Sequence, residues 1–410
     1  MIRTVAIPCK LPVAVADAFN RESGRIYTQT LVRQYRAYRK QGVWLSPGAL
    51  EKLGDFLDRD RQPLLHAHSI DAAQQGFPKA CKTARESRKL GLNVAYPHKR
   101  KRFRTTIWKN TAIKRKGNRL ELSTGKGNPK VTIDIPAELH DVLLFREARL
   151  VYDKKAHRYD WHLVVENGKQ PKVSPGTNVV SVDLGEVHPA VVGDEAQATL
   201  IACRERRHVA QGHRKRLASI TSAIDRKAKG SRRRKRLARA KTRLKAKHDR
   251  VMRDMEHKIS RAIVDTAIEH PAGVIAIGDV RDVADQVAKG KPTNQKISGW
   301  NHGKIRTYVE YKAAAEGIST ELVDERYSSQ TCPHCNHRHK PRGRVYRCPA
   351  CRFQSHRDVV GQINILSRYK YGEVGRIPAP AVIKHRIPHN LRVMRRCRDT
   401  GQPFGAVARG

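Results

Sequence analysis

The sequence lacks any run of about 18 apolar residues, so no membrane-spanning helix is expected. Its opening, MIRTVAIPCKLPVAVADAF, has no continuous apolar core of the kind a secretory signal carries, and it reads as a first strand. Acidic residues are scarce: 38 Asp plus Glu stand against 83 Lys plus Arg, a net charge of +45. A chain this basic repels itself, and a polyanion relieves the repulsion by counterion release, which makes nucleic acid the leading partner and a bare solvated surface the weaker reading. Nothing in the pattern points to a membrane partner or a small-molecule substrate.

Cysteines are present, but not in a disulfide framework. Four of the eight cluster as Cys332, Cys335, Cys348 and Cys351. Two close pairs without a secretory signal favour a metal over disulfides and a reducing compartment. Cys9, Cys81, Cys203 and Cys397 are scattered and read as ordinary thiols. At 410 residues and 39% hydrophobic content the chain has room for two to four folded modules.

Taken in order, residues 1–15 read as a strand and 16–95 as a helical module, with Tyr27, Leu31, Tyr35 and Tyr38 at three- and four-residue steps. Arginines between the tyrosines allow a nucleic-acid face, although an inward aromatic stripe explains the pattern more simply. Short alternating strands separated by Gly and Asn turns fill 96–170 and suggest an antiparallel barrel joined by the strand of 1–15. Lys99, Arg100, Lys101 and Arg102 open that stretch; as a charge run they read as a solvated face or a phosphate contact. Residues 171–178 read as a linker. From 179 the order is strand, strand, strand, helix, strand, helix, strand, helix, which fits a ribonuclease H type of α/β domain over 179–327 and 355–368. Within it, 207–270 reads as a helical hairpin broken at Gly230-Ser231, with polar faces that are almost wholly basic. Arg232, Arg233, Arg234, Lys235 and Arg236 lack acidic partners one turn away, so a phosphate backbone is expected beside them. The tail, 369–410, is proline-containing, basic and aperiodic, and is expected to be disordered.

Cys332-Pro-His-Cys335 and Cys348-Pro-Ala-Cys351, separated by a basic loop, supply four thiolates for a closed tetrahedral Zn²⁺ that would fold residues 328–354. Such a site has no open position and should not catalyse. Glu325 and Asp358 bracket it, and Asp183 ends the strand Val179–Asp183. Asp183 and Asp358 each read alone as a turn or helix-start residue, with Ser355 as the cap before Asp358, and they gain weight together because the fold order sets the first strand beside the last helix. Glu325 on its own reads as an exposed acid paired with Arg326 or Arg347.

The segments VSVDLG, GVIAIGDV, YKAAAEGISTELVDERYSSQTCPHC, CPAC and RDVVGQINIL, with the basic hairpin between, resemble TnpB, the OrfB-type protein of bacterial insertion sequences related to the type V CRISPR effectors. The resemblance runs from Asn178 to Leu366 and is architectural before it. It implies a RuvC-like nuclease domain carrying an inserted hairpin and a zinc ribbon, and an N-terminal β-barrel wedge domain with a helical recognition module. It further implies a guide RNA from the transposon end and a double-stranded DNA target cut beside a short flanking motif. Two Mg²⁺ held by three carboxylates and a prokaryotic cytoplasmic, nucleoid-associated setting complete the picture.

One place departs from the family. Its fourth strand usually ends Glu-Asp-Leu, and here Gly278-Asp279-Val280 stands instead. Glu325, at the end of the neighbouring strand, is the expected replacement, giving Asp183, Glu325 and Asp358 as catalytic Mg²⁺ ligands. The alternatives are Asp279, which should face the other side of the sheet, and an incomplete site in a guided DNA-binding repressor. A strand transferase is weaker still, since the His337-Arg338-His339 run sits inside the cysteine loop with no partner tyrosine.

Overall fold

A computed structural model describes residues 2–53, 64–154, 156–168, 170–279 and 302–389. The chain divides into two compact units, Met1–Gln170 and Pro171–Gly410.

In the first unit β1 (Ile2–Pro8) is followed by α1 (Val13–Gln41), α2 (Pro47–Lys52) and α3 (Ala67–Lys89). Then come β2 (Thr106–Lys109), β3 (Ile113–Lys116), β4 (Arg119–Leu122), β5 (Val131–Asp134), β6 (Leu144–Asp153) and β7 (Arg158–Glu166). All pairings are antiparallel, in the orders β1-β7-β6-β2 and β3-β4-β5. A single barrel sheet was expected; the chain instead forms two sheets, because a 3-10 turn at Asn110–Ala112 interrupts the ladder between β2 and β3. Their inner faces share one core, with Trp108, Leu150 and Trp161 from one sheet and Leu120, Leu122 and Ile133 from the other. α1 begins at Val13, earlier than the expected 16, and its Phe19 meets Trp108 edge-on at 5.5 Å, so the helical insert is packed on this core from its first turns. Gly24 lets the backbone of Arg102 and Phe103 pass: a Cβ there would lie 2.7 Å from it. Thr28 Oγ1 donates to the Lys101 carbonyl at 2.9 Å, while the side chains of Lys99, Arg100, Lys101 and Arg102 stay exposed.

The second unit contains β8 (Asn178–Asp183), β9 (Ala190–Gly193), β10 (Gln197–Ile201), α4 (Arg204–Asp225), α5 (Arg232–Glu269), β11 (Ala272–Asp279), α6 (His302–Ala315) and β12 (Ser319–Asp324). It ends with β13 (Val345–Arg347), β14 (Gln354–His356), α7 (Arg357–Tyr371) and β15 (Val382–Arg386). The sheet order is β12-β11-β8-β9-β10-β15. β8, β9 and β10 form an antiparallel meander, and β11 and β12 run parallel to β8. Without β15 this is the ribonuclease H-like arrangement. Strand residues alternate between the faces. Val180, Val182, Ile275 and Ile277 bury one face against Ile259 and Ile263 of α5 and Val309 of α6. Ala276 and Val323 bury the other against Ile365 of α7.

Several expectations are corrected. The tail was expected to be disordered from 369, yet α7 runs to Tyr371 and β15 pairs in parallel with β10, Gln197 opposite Val382. The edge of β10 offers open backbone groups, and a short polar strand anchored by Arg386 on Glu269 at 2.9 Å satisfies them. Residues 390–410, with Cys397, lie outside the described residues, as do Val280, Asp282 and Asp285. The linker 171–178 is pinned: the Lys172 N–H donates to the Ala315 carbonyl, its Nζ pairs with Glu316 at 2.8 Å, and β8 already begins at Asn178. α4 starts at Arg204, three residues before the expected hairpin. Ser231 caps α5, accepting from the Arg234 N–H at 3.3 Å. Arg234 is not free for phosphate. Its guanidinium donates to the carbonyls of Ile224 and Lys227 at the end of α4, whereas Arg232, Arg233, Lys235 and Arg236 are exposed.

Candidate metal centres

The register of the central strands decides which acids meet. Val182 stands opposite Ile277, Gly278 opposite Val323, and Asp279 opposite Asp324. Alternation therefore puts Asp183, Gly278, Val323 and Glu325 on the α7 face and turns Asp279 and Asp324 to the other. Ser181, two residues before Asp183, fixes this orientation by donating to the Gln362 carbonyl of α7 at 2.8 Å. Gly361 lets the helix settle on Asp183: a Cβ there would fall 2.5 Å from Asp183 Oδ2.

Glu325 follows β12 and folds back across the sheet. A Cβ on Gly278 would lie 3.1 Å from Glu325 Oε2 and 2.8 Å from Ile365 Cδ1. The glutamate carboxylate thus occupies the space that a side chain at 278 would take. Glu325 makes no ion pair with Arg326 or Arg347 among the described residues. Burial, with Asp279 and Asp324 adding to it, pushes its carboxyl up to about 7. Asp183 is raised well above the usual carboxylate range, by burial first and then by the charges of Glu325 and Asp358, with Arg357 opposing.

Asp358 is the second residue of α7. The expected cap, Ser355, lies in β14; His356 caps instead, its Nδ1 accepting from the Asp358 N–H at 3.2 Å. Burial would raise Asp358, but a hydrogen bond from His188 at 2.8 Å and the charges of His356 and Arg344 outweigh it and hold the carboxyl low. His188, in the loop between β8 and β9, was missed by sequence reasoning. A histidine five residues after an acid carries no periodic signal, and only the fold returns it to α7.

Three half-buried acids, two on the sheet face that α7 covers and one at the start of α7, two of them with carboxyls pushed upward, form an oxygen-rich donor set that suits a hard divalent cation. They are not yet closed. Among the described residues, two groups have all their donor atoms within 4.8 Å of one another: Cys332, Cys335, Cys348 and Cys351, and His188, His356 and Asp358.

The cysteine set is closed. Cys332 Sγ and Cys351 Sγ are 3.7 Å apart, and Cys335 Sγ and Cys348 Sγ 3.5 Å. A tetrahedron of Zn–S bonds has edges of about 3.8 Å. Both knuckles turn alike: Asn336 and Arg352, each directly after the second cysteine, have φ of 59° and 64° and donate to the carbonyls of Cys332 and Cys348. The His334 N–H points at Cys332 Sγ at 3.4 Å, as donors to a thiolate do. Backbone N–H groups of Cys351 and Ala350, with the thiols of Cys335 and Cys351, outweigh burial and push the Cys348 thiol down to about 7, whereas burial pushes the Cys332 thiol up. These residues fit Zn²⁺.

A ribonuclease H-like sheet with acids gathered where β8, β12 and α7 meet places the second unit in the broad class of that fold. A family profile described as "Probable transposase" (OrfB_IS605) matches residues 162–284, and one described as "Cas12f1-like, TNB domain" matches 302–365. A TnpB-like protein of Methanocaldococcus jannaschii is 29% identical over 133 residues, 32% of this chain and 47% of that protein. A protein named CRISPR-associated endodeoxyribonuclease Cas12f1, from Sulfoacidibacillus thermotolerans, is 27% identical over 112 residues, 27% of this chain and 25% of that protein. The matches span under half the length of these relatives. In fold, the chain is similar to Cas12f1 in a Cas12f1–sgRNA–target DNA complex, at a TM-score of 0.60 and 13% identity over 85% of this chain and 81% of that one. Over these segments the second unit is similar to TnpB-type proteins and to the type V effectors.

Proposed function

We propose that the protein is an RNA-guided DNA endonuclease of an insertion sequence, with Asp183, Glu325 and Asp358 as its metal-binding acids. The observation that carries this reading is the carboxylate of Glu325 lying over Gly278, on the same face as Asp183. The missing glutamate of the fourth strand is thereby supplied from the fifth. Asp279, turned to the opposite face, is a poor substitute. Divalent cations bound there, Mg²⁺ by donor type, would supply Lewis-acid activation of water and neutralise charge at the leaving oxygen. The chain's own part is to hold three carboxyl groups converging, one of them, Asp358, kept ionised and two left for a cation to ionise: α7 fixes Asp183 through Gly361, His188 fixes Asp358, and Ile365 walls the site from behind.

Partners follow from the charge and the relatives. The exposed Arg232, Arg233, Lys235 and Arg236 at the start of α5, and Lys99–Arg102 in the first unit, are proposed to track the phosphates of guide RNA and target duplex, while pairing reads sequence. In this reading the second unit is the RuvC-like nuclease with its basic hairpin and zinc ribbon, and the first unit the wedge and recognition region. The setting is the prokaryotic cytoplasm at the nucleoid; among the described residues no helix is long and apolar enough to cross a membrane.

The test is Mg²⁺-dependent cleavage of DNA by protein copurified with RNA from its own locus. Asp183→Ala and Glu325→Gln should abolish cutting, and Asp279→Asn should keep it. The double variant Gly278→Glu/Glu325→Ala returns the acid to its familiar strand and should cut where Glu325→Ala alone does not. Cleavage that survives Glu325→Gln but fails in Asp279→Asn would sink the assignment. Guided binding without cutting by the unaltered protein would favour a repressor.

A further inference from the structure

Beside the three carboxylates lies a donor set that guided cleavage leaves half unused. His188 is brought there by a tight turn at Gly185, where a Cβ would lie 2.5 Å from the His188 carbonyl oxygen. His356 arrives from β14 at the start of α7, and the two imidazoles meet edge to face with centroids 5.1 Å apart. His188 Nδ1 stands 2.8 Å from Asp358 Oδ2 and His356 Nδ1 4.0 Å from the same oxygen. The two histidine side chains are 16% and 24% exposed, so the cluster is sheltered yet reachable from solvent. We propose that His188, His356 and Asp358 form a two-nitrogen, one-oxygen site for a borderline divalent cation such as Co²⁺ or Zn²⁺, for which the harder Mn²⁺ can serve as a paramagnetic stand-in.

The donor chemistry carries the inference. Mg²⁺ prefers oxygen and keeps its water, whereas two imidazoles beside one carboxylate suit the later first-row ions. A single side-chain hydrogen bond would suffice to orient the Asp358 carboxylate, and His188 provides it; the second imidazole, in contact with both, caps α7 through Nδ1, a hydrogen bond that coordination at that nitrogen would replace. Donors bound at about 2.0–2.2 Å to one ion stand roughly 3 to 3.5 Å apart, so the set closes with shifts below 1 Å. Binding exchanges the His188–Asp358 hydrogen bond for two coordinate bonds, and a neutral imidazole does this by carrying its proton on Nε2, with no net proton released. Arg344, 3.6 Å from Asp358 Oδ2, competes for the carboxylate; its side chain is 48% exposed and can turn to solvent.

The proposal shares Asp358 with the nuclease reading and rests on it only there. A borderline ion held on this side draws Asp358 from the oxygen set, so added Zn²⁺ should inhibit Mg²⁺-dependent cutting, and His356→Gln should blunt that inhibition relative to its own zinc-free rate. The direct test is Mn²⁺ alone, titrated into the full chain with its cysteines zinc-loaded and followed by pulsed EPR for ¹⁴N coupling. Two imidazole couplings are expected, retained in Asp183→Asn/Glu325→Gln. His188→Ala should lose one of them with at least about 10-fold of affinity, and His356→Gln, should the first variant misfold, should do the same. Oxygen-only Mn²⁺, or unchanged ¹⁴N coupling in folded His188→Ala, overturns the proposal. Intact coupling in a protein that never cuts DNA sinks the nuclease reading and leaves this site standing.

Discussion

The four cysteines come from one stretch, Cys332 to Cys351, whereas Asp183, Glu325 and Asp358 arrive from β8, the end of β12 and the start of α7. The first set is nearly tetrahedral as it stands, because two identical backbone turns aim sulfurs and N–H groups inward. The second set is held together against its own repulsion by strand register and by a glycine on each side. A local site can therefore be complete before the domain folds. A convergent one exists only once the sheet and α7 have met, and it stays electrostatically uncomfortable without a cation.

The comparison can be broken from either side. The largest effect is expected at the convergent site: Asp183→Ala should lower the cleavage rate by about 10³-fold or more, with circular dichroism unchanged, since Asp183 supports no core packing. Loss of stability together with activity would mean that the acid is structural. Next comes the local site. Cys332→Ser, or chelation, should remove metal-binding energy of order 10 kcal/mol from the loop, read as new proteolytic cuts between residues 328 and 356 while the sheet stays protected. A loop that resists protease without metal would end the view that metal folds it.

A third measurement uses pH. The carboxyl of Glu325 sits at about 7 in the folded protein against an ordinary 4.5. An acid raised by folding stabilises the protein while protonated and loses that contribution as pH climbs from the ordinary value to the raised one. Metal-free protein should therefore lose up to about 3 kcal/mol between pH 4.5 and 7 from this residue, with Asp183 acting in the same direction and Mg²⁺ restoring stability. Denaturant midpoints across that range, with and without Mg²⁺, check the sign. The smallest effect is at Arg234: replacement by Ala should cost about 1 kcal/mol through the lost cap on α4 and leave nucleic-acid affinity almost unchanged. Arg233→Ala should reduce affinity and its salt dependence and leave stability alone.

What could be read from the sequence follows the same division. The cysteine spacing, the apolar strand ending at Asp183 and the break at Gly230-Ser231 are local patterns, and each marks its element directly. Glu325 was legible only because a glycine stood where the family has an acid, and its placement over Gly278 needed the parallel register of β11 and β12. His188 and the capping role of His356 were not legible, since both depend on α7 returning to the β8–β9 loop. The strand Val382–Arg386 was hidden for another reason. Four of its five residues are exposed, and a strand that borrows its order from the open edge of β10 shows no apolar alternation of its own. Arg234 looked like its neighbours in the basic run, and only the end of α4 sets it apart.

The packing of Glu325 over Gly278 separates a volume from a position. Read position by position, a lost acid at 278 and an odd acid at 325 would make the proposed site look incomplete. The space over Gly278, bounded by Ile365 of α7, does not register which strand delivers the oxygen atoms that fill it. Chains with glycine in the usual place are best sorted by whether a neighbouring strand end carries a side chain long enough to fill that hollow.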